Sequence, residues 1–209
     1  MIVGNGPVAE GAGDGIDQAD LVIRFNEVRN SPLAGRRTDV VAVCNTGRPA
    51  RAMLGASEWR DGPAVAGCGE IWSVRDPAKF RDLRPLLAVS HPDLDDFCDD
   101  CTEDFARFAA SRGKRHRVIA RSVHEGVEQA LAAYRPEPYV VPSSGLIVVA
   151  HVLSSEARAD DEVVLAGFSH EGWDGHPFAA ERQLIEAHVA SGRLVRLNPD
   201  TASSPSQGA

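Results

Sequence analysis

Short, continuously apolar runs recur along this chain, with longer stretches of helical spacing between them. The runs fall at residues 2–4, 21–25, 40–44, 71–74, 118–120, 163–166 and 194–197. Brief apolar runs without alternation mark strands buried on both faces. Helical spacing covers 94–110, 124–134, 144–153 and 177–191. Ser144 suits the cap of the third helix, Pro177 the first turn of the fourth, and Gly192 its left-handed stop. Strand followed by helix, repeated, predicts an α/β fold: a mainly parallel, twisted sheet with helices on both faces. One such domain is expected over 1–198. Residues 199–209 are mostly Ser, Pro, Gly and Ala and carry too little apolar surface to order, so a flexible tail is expected there. Residues 47–69 are rich in Gly, Ala and Arg and give no regular pattern. Gly11, Gly13 and Gly15 suggest a flexible loop.

A chain of 209 residues is long enough for a substantial core. The formal net charge of −8 argues against general binding to nucleic acid or membrane surfaces. No apolar run approaches the roughly 20 residues of a membrane helix, so no anchor is expected. Met1 leads straight into a strand without the basic and small-residue segments of a signal peptide, which predicts a cytoplasmic protein. Of the four cysteines, only Cys98 and Cys101 form a C-x-x-C, and no second pair completes a zinc site. Asp95, Asp96, Asp99, Asp100 and Glu103 surround this pair and would raise a thiol pKa, so reduced structural thiols are expected. Asp93-Leu94-Asp95 has the form of a metal-binding D-x-D, but a solvated helix start explains it more simply. No metal is expected.

Four segments carry candidate chemistry. In a parallel sheet, ligands meet the residues just past the strand ends. Gly4-Asn5-Gly6 follows the first strand, where glycines permit close backbone approach and an amide can donate and accept. Arg24-Phe25-Asn26 closes the second strand, and Arg24 serves equally as a salt-bridge partner of Asp17 or Asp20. Pro142-Ser143-Ser144-Gly145 opens an apolar helix, where hydroxyls and free amides form a natural anion site. The densest segment, 167–181, holds His170, Trp173, His176 and Glu181 after a strong strand. Histidine is the usual general base at neutral pH, and Glu181 is placed to orient His176.

Taken in order, these segments resemble the sialyltransferase family of eukaryotic type, in its small bacterial relatives. Val3-Gly4-Asn5 with Ile16-Asp17, Asp20, Val22, Arg24 and Asn26 matches that family's long donor motif. Pro142-Ser143-Ser144-Gly145-Leu146 matches its short motif, and His176 with Glu181 its final His–Glu motif. The resemblance implies a Rossmann-like, variant GT-A sheet and inverting, metal-independent transfer from a CMP-sialic-acid-like donor. No cofactor would be required. It implies Gly4, Asn5, Gly6, Arg24, Asn26, Ser143, Ser144 and Gly145 as donor contacts, His176 as base, and His170 beside the departing phosphate. The family's disulfide has no counterpart, and the middle region that would carry an acceptor platform is short. The acceptor would be an unknown glycan or small molecule. Across Cys44-Asn45-Thr46-Gly47-Arg48-Pro49 and 168–181 the chain also resembles bacterial proteins labelled urease operon accessory proteins.

Two function classes follow. One is a cytoplasmic glycosyltransferase. The other is a non-catalytic nucleotide-binding or accessory protein tied to a urease operon, with His116, His170 and His176 as candidate Ni²⁺ ligands and room for an oligomer. A dinucleotide enzyme ranks third: Glu27 stands near the ribose-binding position, but the third fingerprint glycine is not in place.

Overall fold

The computed structural model describes residues 1–30 and 33–197, so the expected tail at 199–209 lies outside the described residues. The strands are β1 (Ile2–Val3), β2 (Ile23–Phe25), β3 (Val40–Val43), β4 (Glu70–Ser73), β5 (Arg115–Val118), β6 (Val164–Ala166) and β7 (Val195–Arg196). They form one sheet in the order β5-β4-β3-β2-β1-β6-β7, with every neighbouring pair parallel. The α/β reading of the sequence stands.

Register explains why the strand sequences are continuously apolar. Ile2 sits beside Ile23 and Leu165, and Ile23 beside Val40. Val3 sits beside Arg24, Arg24 beside Val41, and Val41 beside Ile71. Consecutive residues point to opposite faces, and both faces are covered. The helices α7 (Arg121–Ala132), α8 (Ser144–His151) and α9 (Phe178–Ala190) pack Val127, Leu131, Ile147, Val148, Leu184 and Ile185 on the Ile2 face. On the Val3 face, α1 (Ala12–Asp17) packs Ile16 against Val3 and Ala166. Farther along that face lie α2 (Gly47–Gly55), α3 (Ser57–Arg60), α4 (Pro63–Gly67) and α6 (Thr102–Ser111). Their Met53, Trp59, Val65 and Phe105 pack on Val41 and Ile71. The helix α5 (Pro77–Ser90) buries Phe80 and Leu87 in a smaller cluster with Cys98 and Val141.

Several local expectations are corrected. Residues 47–67 form three short helices, and α1 occupies the glycine-rich segment expected as a loop. The helix expected from residue 94 starts at Thr102, behind a 3-10 turn at Pro92–Leu94. β5 precedes its expected position because it is a largely exposed edge strand of polar residues, and the apolar Ile119 follows it. The cap of α8 is Ser143, whose hydroxyl accepts from the Leu146 amide at 3.2 Å. Pro177 is the residue before α9, whereas Gly192 has the expected left-handed φ of 72°. All four cysteines are free and buried. No described helix is long and apolar enough to cross a membrane.

Strand order reverses at β1, which lies between β2 and β6. The chain leaves β1 into α1 on one face and leaves β6 into α9 on the other. Such a switch point opens a crevice at the carboxyl ends of the strands.

Candidate functional site

A crevice of about 480 Å³ lies at this switch point. Its walls come from the residues just past β1, β2 and β6, the start of α8 and the approach to α9. Gly4, Asn5, Gly6, Asn26, Ser143, Ser144, Gly145, His170, His176 and Glu181 all line it. Of the expected site residues, Arg24 is absent from the wall. Its side chain is 1% exposed on the Val3 face and donates to the carbonyls of Ala34 at 2.7 Å and Arg37 at 3.0 Å. Burial lowers its pKa and the Asp17 charge opposes that. Arg24 therefore anchors the 34–37 loop and stands off the crevice wall.

The glycines after β1 answer to a neighbouring backbone. The Gly4 amide donates to Ala166 O at 2.8 Å, and the Gly6 amide to Gly167 O at 2.9 Å. A Cβ on Gly4 would collide with the Gly167 carbonyl, and one on Gly6 would stand 2.8 Å from it. Gly167 itself has φ +67°, and a Cβ there would stand 2.9 Å from the carbonyls of both Gly4 and Gly6. Asn30 clamps the junction, its amide donating to the carbonyls of Gly4 and Gly6. Close contact between the β1 and β6 exits thus requires these glycines before any ligand is considered.

The two asparagines knit the same floor. Asn5 donates to Phe25 O at 3.2 Å and accepts from the Arg29 amide at 3.0 Å. Asn26, in the left-handed region at φ 50°, accepts from the Cys44 amide at 2.8 Å. Asparagine tolerates that conformation better than most residues. The Oδ1 of each is committed to the protein, which leaves side-chain N–H donors for a guest.

Ser143 meets Glu181. Both the amide and the hydroxyl of Ser143 donate to the Glu181 carboxylate, each at 2.6 Å. Burial raises the Glu181 pKa, and these two donors oppose the rise. The expected anion site at the start of α8 is thus partly filled by the protein's own carboxylate. Ser143 is consumed as cap and as donor, and Ser144 and Gly145 remain at the wall. The ring of Phe168 lies so close to Gly145 that a Cβ there would come within 2.9 Å of it.

The histidines differ from the expected pairing. Val141, and not Glu181, orients His176: its carbonyl lies 2.8 Å from Nδ1. A carbonyl only accepts, so Nδ1 carries the proton and Nε2 keeps the lone pair of a base. Burial lowers the His176 pKa, the Val141 bond partly opposes this, and the Arg75 charge lowers it further. Trp173 and Phe178 pack edge-on against the ring, with centroids at 5.0 and 5.4 Å. His170, strained at φ 54°, accepts from Arg196 at 2.7 Å through Nε2. Burial, then the charges of Arg196 and Arg182, lower its pKa to about 4. At neutral pH its ring is therefore uncharged.

Sequence reasoning missed Arg29 as a wall residue, gave Phe168 no role of its own within 167–181, and ranked Glu27 low. Arg29 and Glu27 follow β2 and pair at 3.4 Å. The rule about strand ends could have found both. His116 sits on β5 at 2.9 Å from Ser73, away from the crevice, so the three candidate nickel ligands do not converge. Among the described residues no three His, Cys, Asp or Glu side chains are grouped as metal ligands.

The chain is 56% identical to the urease operon 23 kDa accessory protein of Rhizobium meliloti (strain 1021). The match covers 209 residues, all of this chain and 97% of that protein. The chain belongs to that protein's family. No protein-family model matches it. The resemblance to urease operon accessory proteins is thereby supported at full length, whereas the sialyltransferase resemblance rests on its motifs alone.

Proposed function

We infer that this chain is a nucleotide-binding accessory protein of a urease operon, working in the cytoplasm. One observation carries the reading. A single crevice at the switch point of an all-parallel sheet gathers the amide donors of Asn5 and Asn26 with Ser144 and Gly145 at a helix start. That position and those groups suit a nucleotide lying across the strand ends. Glu27, just past β2, has the acidic group and the location to meet ribose hydroxyls. The urease setting comes from the relative's name. A thermal-shift panel of CMP, CDP, UDP, NAD and Ni²⁺ tests the reading, because a bound ligand raises apparent stability by mass action. Stabilisation by a nucleotide supports it. A response to Ni²⁺ alone overturns the nucleotide part of the reading and leaves the accessory part standing.

A second reading is favoured by the His176 tautomer. A neutral imidazole with an unprotonated Nε2 on a pocket wall can remove a proton from an acceptor hydroxyl. With a CMP-sugar donor, this is the inverting glycosyl transfer that the motifs suggest. His176→Ala would then keep donor binding and lose turnover by ~10² to 10⁴-fold. Absence of any product from CMP-sugars with the intact chain would leave the binding reading alone.

A further inference from the structure

Arg75 follows β4 at the carboxyl edge of the sheet and is 8% exposed. Among the described residues it has no carboxylate partner. Its Nη1 donates to the Thr46 hydroxyl and, at 3.4 Å, to the Phe97 carbonyl, both neutral acceptors. The guanidinium lies over the rings of Phe97 and Phe80, at 4.2 and 4.9 Å. Burial lowers the Arg75 pKa, opposed only by the thiols of Cys44 and Cys98. Cys44 donates its S–H to Thr46 O at 3.6 Å. Burial pushes the Cys98 thiol up, against the pull of Arg84 and Arg75. Glu70, by contrast, is buried with two arginines on it.

An uncompensated buried charge is costly, yet the backbone that carries this one is held firmly. Asn45 accepts from the Arg75 amide at 2.7 Å and donates to its carbonyl at 2.9 Å. Thr102 holds Asn45 at 2.6 Å, and Asp100 holds Thr102 at 2.5 Å. Phe97, beneath the guanidinium, stacks 5.3 Å from Trp173, which lies 5.0 Å from His176. Arg75 therefore stands one aromatic layer behind the crevice wall. Trp173, 41% exposed, belongs to a loop bent through left-handed His170 and through Gly172 at φ +147°.

We propose that Arg75 docks an anionic oxygen pair, carboxylate or phosphate, of the molecule held in the crevice, reached past Trp173. The planar guanidinium fork matches such a pair, and no carboxylate among the described residues supplies one. The proposal rests on the crevice being a ligand site. It carries a consequence for His176: a bound anion cancels the Arg75 charge that disfavours the imidazolium, so the ring becomes more basic when the anion is present.

The test uses the full chain with inorganic phosphate, acetate, cytidine and CMP as probes. Phosphate or acetate is expected to move the His176 ring titration, followed by NMR, to higher pH in the unaltered protein. The larger response tells which anion class fits. Arg75→Met is expected to melt higher than the parent in anion-free buffer, to lose the anion response, and to bind CMP about tenfold or more weakly with cytidine unchanged. An unmoved His176 titration with both anions overturns the proposal whether or not the variant folds, as does unchanged CMP binding in Arg75→Met. If cytidine and CMP fail to bind while the anion response still depends on Arg75, the nucleotide reading falls and the Arg75 site stands. If both bind with no dependence on Arg75, the reverse holds.

Discussion

Glu181 accepts two hydrogen bonds from Ser143, one from its amide and one from its hydroxyl, both at 2.6 Å. This contact ties the start of α8 to the first turn of α9, two helices widely separated in sequence that share the Ile2 face of the sheet. Hydrogen bonds to a charged group contribute about 1.5 to 3 kcal/mol each, and losing the carboxylate leaves two donors without it. Glu181→Ala is expected to lower unfolding free energy by about 3 kcal/mol in urea titrations. Ser143→Ala, which also removes the cap, is expected to cost about 2 kcal/mol.

Arg24 provides the contrast between a motif match and a ligand contact. Arg24→Met removes the donors to Ala34 and Arg37 and leaves the crevice wall untouched. Stability is expected to fall by about 1 to 3 kcal/mol in chemical denaturation, with nucleotide affinity by calorimetry within twofold of the parent. A large affinity loss in a folded Arg24→Met would restore the donor-contact role.

Acid sensitivity follows from the histidines. His170, with a pKa of about 4, and His176 both have folded pKa values below the ordinary 6.5. The folded state thus prefers their neutral forms. Their contribution is present above pH 6.5 and is lost as pH falls through the folded values, since the unfolded chain takes up protons first. Melting temperature is expected to fall between about pH 6.5 and 4, and His170→Asn is expected to flatten part of that slope.

The junction between the β1 and β6 exits leaves no space for a methyl group. Gly4→Ala would press against the Gly167 carbonyl, which is backbone and cannot swing aside. A destabilisation of about 1 to 3 kcal/mol is expected by urea titration. Gly15→Ala, where nothing lies within 4 Å of the new Cβ, serves as the control and is expected to be near neutral or mildly stabilising.

The sequence spoke most clearly where both faces of a strand are buried. Val40–Val43 and Val164–Ala166 are apolar throughout because helices cover them on each side. β5 was misplaced because an exposed edge strand carries Arg115, His116 and Arg117, and the next apolar residues mimic a strand. The helices within 47–67 are too short to display a period, and Pro85 interrupts the pattern of α5. Asn5, Asn26 and His176 were legible as crevice-wall residues because strand ends and polar loops are read one residue at a time. The partner of His176 was not, since Val141 contributes only a backbone carbonyl. Arg75 gave no local signal either: its isolation depends on rings and thiols from several segments.

Residue-resolved NMR of the labelled chain, titrated with CMP and then with UDP and NAD, tests the central claim most directly. Saturable shifts confined to the amides of Gly4, Asn5, Gly6, Asn26, Ser144, Gly145 and the 167–176 loop are expected with at least one nucleotide. Shifts that map elsewhere, or no saturable change with any of the three, would contradict a nucleotide site at the β1–β6 switch point.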